Sequence, residues 1–219
     1  MKEIKYDQLR GNFLKYTRKA FAILPEMHKP RILDIGCGFG ILTVELARLS
    51  NGEVIGIDID QAALDDLNNR AKILGLSNRI KAMNCSMLEL KFQDENFDII
   101  WAEGAIRPIG FKRALKEWGR VLKNNGFMVV HDDLVGKKNK LKQIPKYGYL
   151  LFHEFQLPDD AWWVEYYYPL EKQINKLSII YNEDPEFLEK IERFQDEIEI
   201  YKKGPSAFRS IFYILQKRI

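Results

Sequence analysis

In RILDIGCGFGILTVELARL, residues 31–49, Asp34, Gly36, Gly38 and Gly40 stand at alternate positions between an apolar run and a helical one. Glycine at a strand-to-helix turn permits close backbone approach, which a nucleotide-sized ligand needs. The spacing is D-x-G-x-G-x-G. A dinucleotide fingerprint, G-x-G-x-x-G, would need a third glycine at position 41, which is Ile41. A pyrophosphate wants bare amides at a helix N-terminus, whereas an acidic residue ending the first strand suits a ligand carrying an ammonium or other positive group. Asp58, ending EVIGID, has the chemistry to accept hydrogen bonds from both hydroxyls of a ribose.

Other residues have chemistry to offer. Glu103 ends FDIIWAE and His131 lies in FMVVHDD, with Asp132 after it, all at carboxyl ends of expected strands. Each is a candidate proton acceptor, Glu103 first; a lone histidine is somewhat more often a hydrogen-bonded structural residue than a base. Cys37 and Cys85 read as small fillers on a rim, not nucleophiles. Trp162, Trp163, Tyr166, Tyr167 and Tyr168 are too many aromatics for one helix face, so some are left over to line a pocket. Lysines 137, 138, 140, 142 and 146 read as a solvated face.

The elements that must position these residues alternate. Strands are expected at 31–35, 53–58, 79–85, 97–103 and 127–133, with helices after the glycines, after Asp60 and around 110–123. Asp60 supplies an N-cap and Gly75 a C-cap. A further strand is expected at 149–157, two helical segments at 160–181 and from Asp184-Pro185 to Gly204-Pro205, and a last strand at 208–217. A helix over 12–24 precedes the whole. This pattern predicts an α/β, Rossmann-like, doubly wound and mostly parallel seven-stranded sheet, helices on both faces, with a helical insertion before the last strand. One domain over 1–219 is expected, with a helical cap at 1–28, a ligand-binding core at 29–135 and a lid at 160–204.

The chain has 219 residues, 46% hydrophobic and 30% charged, and a net charge of +3. That charge is too weak to imply a nucleic-acid partner. Two cysteines and three histidines without CxxC or HxxxH spacing argue against a metal site. No signal-peptide core and no run near the ~18 apolar residues of a membrane span are present, so a cytoplasmic protein is expected.

LDIGCGFG, VIGIDID, FDIIWAEGAI and RVLKNNGFMVV, in this order and spacing across 30–135, resemble the successive motifs of class I S-adenosylmethionine-dependent methyltransferases. The resemblance implies S-adenosyl-L-methionine as cofactor, S-adenosyl-L-homocysteine as its product, and a small-molecule acceptor methylated by in-line displacement. It places Gly36, Cys37 and Gly38 against the methionine part, Asp34 near its amino group, Asp58 on the ribose and Ile59 on the adenine. Cys85, Ser86 and Met87 would face the adenine edge, where the family often has an acidic residue and this chain has none. Ala102 and Glu103 would adjoin the methyl group. Trp162, Trp163 or Tyr166 would contact the acceptor, and Glu103 or His131 would serve as base where one is needed. An RNA methyltransferase, an NAD-dependent oxidoreductase and a noncatalytic binder are the competing readings. A monomer or homodimer is expected.

Overall fold

A computed structural model describes residue 4 and residues 6–218. Helices α1 (Tyr6–Gly11) and α2 (Leu14–Ile23) open the chain. Then strand and helix alternate: β1 (Arg31–Ile35), α3 (Ile41–Ser50), β2 (Glu53–Asp58), α4 (Gln61–Ile73), β3 (Ile80–Asn84), β4 (Phe97–Glu103), α5 (Phe111–Val121) and β5 (Leu122–Asp133). After α6 (Lys137–Gln143) and β6 (Tyr149–Gln156) come a π-helical turn (Trp163–Tyr167), α7 (Tyr168–Ile180), α8 (Pro185–Lys203) and β7 (Ser210–Lys217).

Seven strands form one sheet in the order β3-β2-β1-β4-β5-β7-β6. β1 to β5 pair in parallel, and β7 runs antiparallel to both neighbours. This is the expected Rossmann-like class. Chain order reverses between β1 and β4, where the helices after the two strands leave to opposite faces and open a crevice at the strands' carboxyl ends.

Local chemistry sets the elements. Asp60 caps α4 by accepting from the amides of Ala62 and Ala63 at 2.9 and 3.3 Å. α5 spaces Phe111, Ala114, Leu115, Trp118 and Val121 so that all are buried, each large one contributing about 1.5–3 kcal/mol. β1 and β2 are covered on both sides, and Leu33, Ile35 and Ile57 are fully buried, as near-continuous apolar strands must be.

Three boundaries differ from expectation. The helix expected over 12–24 runs from Leu14 to Ile23, and a separate short helix, α1, precedes it. β5 begins at Leu122, because the backbone from Leu122 passes a register shift opposite Phe97 and Ile99 and continues in the ladder. The helix expected over 160–181 starts with the π-helical turn, which absorbs the run of bulky side chains before α7.

Candidate active site

The turn after β1 is wound tightly: Gly36, Gly38 and Gly40 have φ of +71°, +49° and +77°. Their surroundings differ. A Cβ on Gly36 would lie 2.6 Å from Ala105 Cβ, and one on Gly40 would lie 2.2 Å from Leu67 Cδ1, whereas one on Gly38 would meet nothing within 4 Å. Packing of the chain on itself therefore removes the outer two side chains. Only Gly38 presents a bare backbone to open space.

Carboxylates ring this loop. Asp34 is 1% exposed; its Oδ2 accepts from Thr43 Oγ1 at 2.6 Å, and its buried Oδ1 has no hydrogen-bond partner. Burial pushes the Asp34 carboxyl up to about 7 against the pull of Thr43, and the charges of Glu103 and Asp58 push the same way. Asp58 Oδ2 accepts from the Gly38 amide at 2.9 Å, and its Oδ1 from the amides of Ile59 and Asp60 at 2.7 and 3.1 Å. Glu103 Oε1 accepts from Thr17 Oγ1 at 2.9 Å and Trp101 Nε1 at 2.7 Å. Burial raises the Glu103 carboxyl above its ordinary value, opposed by those two bonds and by Arg10.

A cavity of about 130 Å³ joins residues 36–42 to Glu103, His131 and Trp162. Arg10, Phe13, Leu14 and Thr17 close over it from the N-terminal helices. It is smaller than the ~300–1,000 Å³ of ordinary ligand sites because α2 is docked. Besides the Thr17–Glu103 bond, Lys15 pairs with Glu165, Arg18 with Glu45 at 2.6 Å, and the Phe13 ring sits 4.8 Å from Trp162.

A second cavity, about 270 Å³, lies on the other side of His131 and Trp162. Gly104, Arg107, Asp132, Asp133, Tyr167, Glu197, Phe208 and Ser210 contribute to its walls. His131 and Trp162 line both cavities and form the partition between them. The partition is locked. The imidazole stacks on Phe212 at 4.6 Å and 9°, lies 6.3 Å from Trp162 at 10°, and its Nε2 meets Ser210 Oγ at 2.9 Å. Trp162 Nε1 donates to that same Oγ at 3.1 Å.

The sequence-based candidates divide accordingly. Asp34, Gly36, Cys37, Gly38, Asp58 and Glu103 gather at the glycine loop. Ile59, 73% exposed, projects an apolar side chain beside Asp58. Ser86 spends its hydroxyl accepting from the Leu88 amide, Cys85 is buried, and Met87 reaches toward Gly36. Ala102 is fully buried in the core, and its side chain lines neither cavity. His131 makes a poor base: burial, assisted by Arg10, lowers it to about 3, so protonation would leave a charge in an apolar wall. Trp163 stacks on Tyr201 at 5.7 Å inside the insertion and Tyr166 packs on Trp162 and Tyr167, so of the three aromatics Trp162 alone lines these two cavities. Arg10, Thr17, Ser210, Phe208 and Glu197 escaped sequence reasoning. Thr17 lies 86 residues from Glu103, Ser210 79 from His131 and Glu197 30 from Tyr167, and no local spacing marks them.

Residues 32–126 match the family model described as a methyltransferase domain. The 27-O-demethylrifamycin SV methyltransferase of Amycolatopsis mediterranei is 27% identical over 122 residues, 55% of this chain and 45% of that protein. Methyltransferase GfsG of Streptomyces halstedii is 30% identical over 106 residues, 48% of this chain and 38% of that protein. The chain thus matches less than half the length of these curated relatives. Among solved structures, an S-adenosylmethionine-dependent methyltransferase from Thiobacillus denitrificans, in complex with S-adenosyl-L-homocysteine, superposes with a TM-score of 0.76 at 19% identity, covering 93% of this chain and 91% of that one. The [4+2]-cyclase SpnF superposes at 0.79 with 18% identity, covering 94% and 80%, so the fold alone fixes no reaction. Residues 32–126, with the glycine loop, thus match a methyltransferase domain, and the sheet order around them is the fold shared with S-adenosylmethionine-dependent methyltransferases of known structure.

Proposed function

We propose that the protein binds S-adenosyl-L-methionine at the glycine loop and transfers its methyl group to a small molecule. The observation that carries this is the ring of Asp34, Asp58 and Glu103, with Asp34 Oδ1 buried and unpartnered. A nucleoside bearing an ammonium and a sulfonium supplies the missing positive charge. A dinucleotide pyrophosphate would bring negative charge to the same place and be repelled. The fit is residue by residue: Asp34 toward the ammonium, the bare Gly38 backbone against the chain, Asp58 on the ribose hydroxyls, Ile59 on the adenine.

When bound, the cofactor supplies a methyl group already activated by the sulfonium. The chain's own part is placement, which in favourable cases lowers a barrier by ~7–11 kcal/mol. α2 must lift to admit a ligand larger than the present cavity and then re-dock through Thr17 and Phe13, which excludes water. The second cavity, next to Gly104, is the acceptor site, and Trp162, which packs on Phe13, must shift as α2 lifts so that methyl group and acceptor can meet. Glu103 is the base for an acceptor that carries a proton; His131 serves as wall. The relatives named above as methyltransferases, and the neighbour solved with S-adenosyl-L-homocysteine, support this reading.

Thermal unfolding with S-adenosyl-L-homocysteine and with NAD tests it. At 100 times its Kd the former should stabilise the fold by about 2.7 kcal/mol. Stabilisation by NAD alone would refute the proposal.

A further inference from the structure

We propose that the second cavity is a cation site, built for a small amine acceptor whose nitrogen is positively charged or becomes so on methylation. The inference rests on the methyl-transfer reading and narrows its substrate class.

The argument is one of charge and surface. Three acidic side chains line the cavity, but two are spoken for. Asp132 pairs with Lys140 Nζ at 2.6 Å, and Asp133 with Lys140 at 3.0 Å and Arg107 at 3.3 Å. Two cations thus offset two carboxylates. Glu197 is different: its Oε1 accepts from Tyr167 Oη at 3.3 Å, and no basic side chain among the described residues forms an ion pair with it. On the opposite wall His131 is held neutral by burial, and the Arg10 guanidinium behind it, near Gly104, is shared with the Glu103 carboxylate. Among the described residues, Glu197 is therefore the one carboxylate of the lining with no basic ion-pair partner.

Aromatic rings surround that charge. Tyr167 meets Phe208 edge-on at 5.6 Å and lies 6.4 Å from Trp162, and all three rings line the cavity with Glu197. Ring faces attract a cation through their quadrupole, and the attraction grows when water is excluded. Aromatic walls alone would suit any flat apolar acceptor. Aromatic walls with a lone carboxylate favour a cation, because a neutral occupant would leave Glu197 partly desolvated and unpaired.

The chemistry closes. The amine nitrogen's lone pair forms the new bond to the methyl carbon, the sulfur–carbon bond breaks, and its electron pair stays on sulfur. Positive charge passes from the sulfonium to the acceptor nitrogen, inside the cage that stabilises it. An acceptor that arrives protonated first gives its proton to the Glu103 carboxylate, which frees the lone pair.

The test uses the full chain loaded with S-adenosyl-L-homocysteine, whose binding is first measured by calorimetry. Choline is then titrated against its neutral analogue, in which a tert-butyl group replaces the trimethylammonium. The two share a shape and differ in charge, and neither turns over. Choline should bind about tenfold or more tightly than the analogue. Glu197→Gln, which keeps an acceptor for Tyr167, should erase most of that difference and leave S-adenosyl-L-homocysteine affinity unchanged; Phe208→Leu should weaken choline severalfold. Equal binding of the two compounds, or binding of neither while S-adenosyl-L-homocysteine binds, overturns the cation site and leaves methyl transfer standing. Failure of S-adenosyl-L-homocysteine itself to bind overturns the underlying reading and the amine assignment with it.

Discussion

The two cavities meet at His131 and Trp162 yet are assembled in opposite ways. The glycine-loop cavity takes its backbone from one turn, which Asp34, Asp58 and Glu103 at the ends of β1, β2 and β4 surround, Glu103 alone of the three lining the cavity. Its floor is made by consecutive residues, and the parallel register places Asp34 opposite Trp101 and Gly56, one layer below the loop. The second cavity takes Asp132 from β5, Ser210 from β7, Tyr167 from the π-helical turn and Glu197 from α8. The first is strand-end chemistry repeated along a sheet. The second exists only once the insertion folds back over the strand ends. On the proposed reading, donor recognition is a property of the scaffold and acceptor choice a property of the insertion.

This contrast is exposed to breakage at single residues. The largest effect is expected at Asp34. Its carboxyl sits near 7 in the fold against 3.8 unfolded, so the native state holds a proton that the unfolded chain releases. Stability from this group is therefore present at low pH and is lost as pH rises from near 4 through about 7, a loss of at most roughly 4 kcal/mol. His131 works with the opposite sign, stability rising as pH rises from about 3 toward 6.5, so the total profile mixes both. Denaturant titrations of wild type and Asp34→Asn across this range, subtracted at each pH, remove the His131 contribution. The difference should shift in favour of the variant as pH rises; a flat difference would show that Asp34 is ordinary.

Asp58→Ala comes next. It should weaken S-adenosyl-L-homocysteine by about 2–3 kcal/mol, because hydrogen bonds to a charged acceptor are lost. Calorimetry reads the change, and choline binding at the second cavity of cofactor-saturated protein should stay as it was. Ser210→Ala reverses the pattern. It leaves the indole N–H of Trp162 and the His131 ring without their shared partner, costing about 1–3 kcal/mol of stability by urea unfolding. Cofactor affinity should change far less than in Asp58→Ala, and equal losses in the two variants would erase the distinction between the regions. The smallest effect belongs to Thr17→Val, which deletes the bond from α2 to Glu103 at similar volume. About 1 kcal/mol of stability should go, with faster amide exchange in residues 14–23.

How much of this the sequence disclosed follows the same division. Alternating strands and helices, the Asp60 cap and the glycine spacing announced the sheet and its ligand crevice, because each is written within a few residues. Glycine spacing alone did not tell that Gly36 and Gly40 are bare to make room for Ala105 and Leu67, since those partners lie 69 and 27 positions away. Composition marked the aromatic run as conspicuous but not its winding. The π-helical turn sends Trp162 to the partition and Trp163 to Tyr201, a choice made by packing against β7 and α8. Arg10 and Thr17 were invisible because helical periodicity reports a buried face without saying what lies under it. The histidine was readable two ways, and only its burial between Phe212 and Trp162 separates them.

The most direct test of the central claim is calorimetric titration of the wild-type protein with S-adenosyl-L-methionine between pH 6 and pH 8.5. The carboxylate ring predicts one site whose affinity strengthens as pH rises through about 7, where Asp34 gives up its proton, with that rise absent in Asp34→Asn. No binding of S-adenosyl-L-methionine at any pH, with NAD bound instead, would contradict it.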